Sequence, residues 1–396
     1  MLVGGWALTL WVMPWSDERV NDLFVYRSYA DPVLAGALPY RDVFSEYPPL
    51  ASAAIALPGL AGTGAETFRL AFAAWTLLLA GVVVLLCGAI AARSGGDRRR
   101  ALLAAALAPL LCGALLRTHF DLAPVALTLA ALLLVCTGRP RGGLAVLGLA
   151  AMTKLFPLVV APVALAWLVG RGRRREAWQA GATLAAVLAL IGAAAVAASP
   201  DGALDAVRYH LDRPVQIEST PALIVLGLDG LGVGEADGVA SHRSDGLVHP
   251  ADGFVTGALI AGFLGLIAVL ALLAARRTDS RSLVLASLAA VVAFAALGKV
   301  LSPQFVIWTL PLGALAFAWR MHALAAAVAG AAILTQVEFP ARYIDLVARE
   351  PFPVAVVTAR NAVLLAALML VVRALQPRRQ EELLDRGRPA LAVRLD

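Results

Sequence analysis

The sequence predicts an all-α polytopic membrane protein, and three observations carry that reading. Hydrophobic residues make up 60% of the 396, only 15% are charged, and the mean hydropathy is +0.80, values foreign to a soluble core. Apolar runs recur at residues 71–92, 101–116, 123–136, 182–198, 254–275, 283–297 and 354–372. Each is near the roughly 20 residues that cross a bilayer as helix. Arginine clusters mark one set of loops, at 93–100, 138–143, 171–175, 276–281, 320 and from 373 onward. If these loops are cytoplasmic, that side holds 20 basic and seven acidic residues, leaving 13 of the 33 basic and 20 of the 27 acidic residues outside. Short-loop bias of this kind orients a helical bundle, here with both termini inside and about twelve crossings.

Taken in order, Met1–Trp15 has no basic flank and no small-x-small cleavage site, so it reads as a first span rather than a removed signal peptide. Residues 21–38 place Phe24, Val25, Tyr29, Val33 and Leu34 at helical spacing, with Pro32 as a break. An interfacial helix is expected there. "YRDVFSEYPPL" (40–50) ends in Pro48 and Pro49, which disfavour helix at Tyr47 and make a stiff turn into the next span. Between Gly142 and Gly170 the charge pattern requires two crossings in 29 residues. The hairpin therefore turns at "TKLFP" (153–157) between two short helices, with Pro157 in the first turn of the second. Asp201–Leu211 puts Leu204, Val207 and Leu211 on one face behind Ser199 as cap, a second interfacial helix. The glycine-rich run 227–238 follows no strand and lacks Lys-Ser/Thr, so a flexible loop is expected rather than a phosphate cradle. On this division residues 1–375 form one transmembrane domain, outer loops 16–66 and 199–252 cover its site, and 376–396 is a basic cytoplasmic tail.

Several chemistries are excluded. Cys87, Cys112 and Cys136 all lie inside apolar runs, which leaves no disulfide framework or metal spacing. No nucleophile elbow, zinc-protease motif, P-loop or dinucleotide fingerprint is present. No cofactor, metal or nucleic-acid partner is expected. Attention falls instead on polar residues at span ends. The chain has two lysines, Lys154 and Lys299, each near a proline in a segment facing outward. They either snorkel to headgroups or supply point charges to a phosphate at the membrane surface. Arg360, seven residues past Pro353 in the last run, is a charge at membrane depth, which marks a site or pairs with a buried acid such as Asp121 or Glu338. Gln304 and His119 add hydrogen-bonding groups at similar heights, although a lone histidine is as readily structural.

These stretches carry a resemblance. "DLFVYRSYADPVLAGALPYRDVFSEYPPLA", "HFDLAPVALTLAALLL", "TKLFPLVVAP", "RPVQIESTPA", "KVLSPQFVIWTLPL" and "ARNAVLLAAL" resemble the ordered motifs of glycosyltransferase family 87, polyprenyl-phosphate-mannose-dependent mannosyltransferases of actinobacteria with the GT-C fold. The resemblance covers nearly the whole chain. It implies an inverting enzyme in the plasma membrane with its site on the extracytoplasmic side. The donor would be a hexose, mannose first, on a polyprenyl phosphate, and the acceptor a lipid-linked glycan. The carboxylate that serves as base in GT-C enzymes falls at Asp22. The donor phosphate would meet Lys154, Lys299, Arg360, Gln304 and His119, and the acceptor side would be lined by Tyr26, Glu46, Tyr47, Arg213 and Glu218. Two other classes stay open: a transporter or flippase for a lipid-linked saccharide, and a polymerase or ligase using a polyprenyl diphosphate.

Overall fold

The computed structural model describes residues 1–62 and 64–376. Helix α1 (Leu2–Trp11) opens the chain, and α2 (Leu23–Leu34) holds Pro32 in its last turn. There the missing N–H leaves the Ser28 carbonyl without its usual donor, and the helix ends two residues later. The Pro48–Pro49 turn launches α3 (Pro49–Ala56) with proline at its first position, and the long α4 (Ala65–Arg93) follows. The apolar run 101–116 does not make one span. It divides among α5 (Arg98–Ala106), α6 (Ala108–Cys112) and α7 (Leu115–Thr118). Pro109 has no N–H for the ladder, and Gly113 turns the chain at a φ of +52°.

Helices α8 (Leu122–Cys136), α9 (Pro140–Thr153) and α10 (Val160–Gly170) come next. The expected turn between two short helices lies where Lys154 is extended, and a 3-10 turn at Phe156–Val159 carries Pro157. The long α11 (Arg174–Ala198) leads into α12 (Pro200–Asp212), where the Ser199 hydroxyl accepts from the Gly202 N–H as the cap. A small sheet then corrects the all-α expectation. β1 (Val215–Gln216), β2 (Asp237–Ser241) and β3 (Ser244–Val248) pair antiparallel in the order β1–β3–β2. The glycine-rich run is not simply loop: it spans the end of α13 (Thr220–Gly230), a turn and the start of β2. The last helices are α14 (Asp252–Ala275), α15 (Ser280–Leu297), α16 (Val306–Ala318), α17 (His322–Glu338), α18 (Tyr343–Val347) and α19 (Pro351–Leu375).

Among the described residues, α4, α11, α14, α15 and α19 are long and apolar enough to cross a membrane. Seven other apolar stretches run 10–17 residues, short of a full unaided crossing. Five helices can cross by length alone, and about twelve crossings would need each of the seven shorter stretches to cross as well. Short helices at membrane depth need protein or a wet cavity beside them, and α8, α9 and α16 have it. α8 packs between α4 and α9, and α16 against α5, α15 and α17. α15 is enclosed on nearly every face from Leu283 to Ala293 and forms the axis of the core. The expected tail lies outside the described residues except for Gln376.

Candidate active site

The polar residues gather where the loop before α2, the Tyr40–Pro48 loop, the α7–α8 junction, the α9–α10 turn and the loop before α16 meet. At the base of this cluster, Lys154 Nζ donates to Asp121 Oδ1 at 2.7 Å. The Trp308 indole N–H donates to the same oxygen. Aromatic rings enclose the ammonium: its nitrogen is 4.8 Å from the Phe120 ring centre, 5.4 Å from Trp308, and 5.8 Å from both Tyr47 and Phe305. Trp308 stacks between Phe305 at 3.7 Å and Phe156 at 4.1 Å. A desolvated cation is well held by such ring faces. Asp121 is fully buried, and its second oxygen has no hydrogen-bond partner among the described residues.

Asp22 stands at the N-terminus of α2 and keeps about a third of its side chain exposed. Its Oδ2 accepts from the Tyr26 hydroxyl at 3.1 Å and lies 3.5 Å from His119 Nε2. His119 is held from behind, its Nδ1 3.2 Å from the Leu115 carbonyl and 3.0 Å from the Thr118 hydroxyl. The Thr118 hydroxyl donates to the Ala114 carbonyl, and the ring turns Nε2 toward Asp22. The preceding loop is fixed by Arg117, whose guanidinium bonds the Thr9 and Ser16 carbonyls and the Glu18 carboxylate.

Other acids are committed elsewhere. Asp17 pairs with Arg19, Asp31 with Arg27 and Asp42 with Arg41. The buried Glu46 accepts from the Tyr29 hydroxyl, and Arg243, from the tip of the β2–β3 hairpin, contacts both. The hairpin and α12 cover the site from the side of these loops. His210 Nε2 meets the Glu46 carbonyl at 2.7 Å. Tyr209 hydrogen-bonds the His242 carbonyl. Burial, then the Glu46 carboxylate, push the Tyr209 phenol up to about 12, and Asp22 is near enough to add to the shift. The Tyr47 phenol is raised by burial and by Asp22, Glu46 and Asp121.

The remaining candidates are less open. Lys299 Nζ donates to the Leu211 and Arg213 carbonyls at 2.8 and 2.9 Å, which leaves one N–H and the charge. Burial and the neighbouring Arg213 lower its pKa. Arg213 itself reaches Ser244 at 3.2 Å. Arg360 and Glu218 are buried against each other, 3.2 Å apart. The buried acid expected beside Arg360 is present: its ion pair is with Glu218, which was not named, Glu338 belongs to the same cluster, and Asp121 pairs with Lys154 instead. Arg360 shares a small cavity with Pro303 and Phe305, the latter a wall of the Lys154 box. Gln304 is half-buried in the 3-10 turn before α16. The box of Phe120, Phe305 and Trp308 and the covering residues Tyr209 and Arg243 were not singled out from sequence. A signal existed for two of them, since Phe305 and Trp308 are three apart in "SPQFVIW" and so share a helix face.

Among curated proteins, none matches the chain. Among solved structures, it is similar to ArnT from Cupriavidus metallidurans bound to undecaprenyl phosphate, with 16% identity, a TM-score of 0.48, and 94% of this chain and 75% of that one covered. The model of glycosyltransferase family 87 matches residues 44–303. That match takes in Glu46, Tyr47, His119, Asp121, Lys154, Arg213, Glu218 and Lys299, and stops short of Asp22, Gln304 and Arg360. About two thirds of the 396 residues fall within it, and on that ground the chain belongs to glycosyltransferase family 87.

Proposed function

We propose that this glycosyltransferase moves a hexose, mannose first, from a polyprenyl-phosphate sugar to a hydroxyl of a lipid-linked glycan, at the extracytoplasmic face of the plasma membrane and with inversion. The observation that carries the reading is the placement of Asp22. It is a part-exposed carboxylate with no Arg or Lys partner among the described residues, beside His119 and the caged Lys154–Asp121 pair. A sugar phosphate already holds a stabilised leaving group, so the reaction needs a base and charge neutralisation but no protonating acid. Asp22 takes the proton of the attacking hydroxyl. That oxygen bonds to the anomeric carbon from the face opposite the phosphate, the C–O bond to the phosphate breaks, and polyprenyl phosphate departs. A β-linked donor then yields an α-linked product. Lys154 and Lys299 supply positive charge near the departing phosphate. Tyr26, Glu46 and Tyr47 line the acceptor side.

The test is transfer from radiolabelled polyprenyl-phosphate mannose in membranes. Asp22→Asn keeps the shape and loses the base, so turnover falls roughly 10²–10⁴-fold with donor binding retained. An Asp22→Asn enzyme keeping more than about a tenth of its turnover, with Asp42 or Glu46 variants inactive, overturns the choice of base. Movement of the lipid across the bilayer without transfer supports a transporter, and a requirement for a diphosphate donor supports a polymerase or ligase.

A further inference from the structure

Away from the reacting groups, one guanidinium and two carboxyls are packed together out of water. Arg360 on α19 donates to the Glu218 carbonyl at 2.6 Å and to its carboxylate at 3.2 Å, and Asn361 donates to the same carbonyl at 3.1 Å. Glu338, the last residue of α17, is fully buried, and neither of its oxygens has a hydrogen-bond partner among the described residues. Glu218 and Arg360 are near enough for their charges to act on it in opposite directions. Two buried carboxylates facing one cation leave a net negative charge in a dry site, and a retained proton removes it.

The cluster reaches the site through Gln216. The Gln216 amide donates to the Glu218 carboxylate and to the Ser302 hydroxyl, both at 3.1 Å, and accepts from the Leu301 N–H at 2.9 Å. Its own N–H bonds the Lys299 carbonyl at 3.0 Å. Residues 299–302 are thereby pinned to 215–218, and they run directly into Pro303–Phe305 and then Trp308. Those last two rings enclose Lys154.

We propose that Arg360, Glu218 and a proton-bearing Glu338 form a positioning clamp that holds residues 215–218 on the loop before α16, and through it the aromatic box around Lys154 and Asp121. This rests on reading that box as part of the donor site. In this reading the three residues position that loop rather than bind the donor. Around Glu338 the charged or titratable groups are Glu218 from the segment after β1, Arg360 from α19, and Arg342, whose backbone N–H bonds the Glu338 carbonyl and whose guanidinium bonds that of Val337. Farther out are Arg213 and Tyr343, whose hydroxyl is bonded to Asp245 at 2.8 Å. Burial raises Glu218 to about 7 against the pull of Arg360, which is consistent with one proton held between the two acids.

The clamp is tested by a double-mutant cycle and by pH. Arg360→Met and Glu218→Gln each lower kcat/KM for the lipid donor by about tenfold or more, and the double variant is no worse than the weaker single. Additive losses, with only the donor KM rising in Arg360→Met, make Arg360 a phosphate ligand and overturn the clamp. Glu338→Gln keeps the neutral form. It retains activity at neutral pH and stays active from about pH 7 to about pH 9, where the native enzyme declines. If Glu338→Gln is inactive at neutral pH, or declines in parallel with the native enzyme, the proton is not needed and the proposal fails. The thermal unfolding temperature in detergent gives a readout free of the substrate assignment. A folded state that keeps a proton the unfolded chain has released loses stability as pH rises, so this fall is present in native protein and flattened in Glu338→Gln. If that pattern holds while Asp22→Asn remains active, the reading of the reaction fails and the clamp stands.

Discussion

Asp22 and Asp121 are two carboxylates of one site, and their surroundings separate their roles. Asp121 is buried and bound to a cation and an indole. Its negative charge answers Lys154, and removing it strands that ammonium away from water. Breaking a buried pair from one side costs about 3–5 kcal/mol, so Asp121→Asn lowers the unfolding temperature in detergent markedly. Asp22→Asn leaves it near the native value, because Asp22 is part-exposed and its partners are neutral or switchable. Equal stability of the two variants contradicts this division. The two lysines were legible from sequence as oddities in an arginine-rich chain, and the environment of Lys154 was not. Phe120, Phe305 and Trp308 read as ordinary apolar residues until the chain brings separate segments together. Lys299 has become partly structural for a related reason. Its ammonium caps two carbonyls at the end of α12, so Lys299→Ala disturbs that end as well as any phosphate contact. Its loss in donor use is expected to be about tenfold to a hundredfold, measured as donor KM in the same transfer assay, and an unchanged KM removes Lys299 from the donor site.

Among the elements, α12 depends on close approach to the loop that starts at Tyr40. A Cβ added at Gly202 overlaps the Tyr40 carbonyl, and backbone cannot yield as a flexible side chain does. Gly202→Ala is therefore expected to lift the first turn of α12 from that loop and weaken the His210–Glu46 contact at its far end. Transfer activity falls while the protein remains folded by size-exclusion chromatography; unchanged activity shows that the seat of α12 is not critical. Periodicity and capping made α12 readable in advance, with Ser199 as cap and one apolar face. The hairpin beside it was not readable. Its turn is formed by His242 and Arg243, both at a φ of +51°, where asparagine or glycine is the usual signal, and its strands follow a glycine-rich stretch. The run 101–116 misled in the other direction, because composition alone does not show that Pro109 and Gly113 interrupt it.

Across the whole molecule, the two ends of the bundle differ in chemistry as the loop charges predicted. Arg171 reaches the Thr278 carbonyl and Arg141 reaches Gln179. Arg281 lies 5.5 Å from the Trp319 ring centre and Arg100 lies 5.6 Å from that of Phe317. The loops at 93–100, 138–143, 171–175, 276–281 and 318–322 therefore gather at one end. Asp22, Glu46, His119, Lys154, the sheet and Lys299 gather at the other, joined by the contacts already described. Short basic loops are retained on the cytoplasmic side, so the function proposed above requires the sheet and the site to lie outside. A membrane-impermeant maleimide on intact cells tests this with Asp237→Cys, at the start of β2, and Arg173→Cys, just before α11. The native cysteines Cys87 and Cys112 are buried and Cys136 is half-buried, so background labelling is low. Asp237→Cys is expected to label in intact cells and Arg173→Cys only after permeabilisation. The reverse pattern turns the bundle over, and with it the face on which Asp22 meets its acceptor.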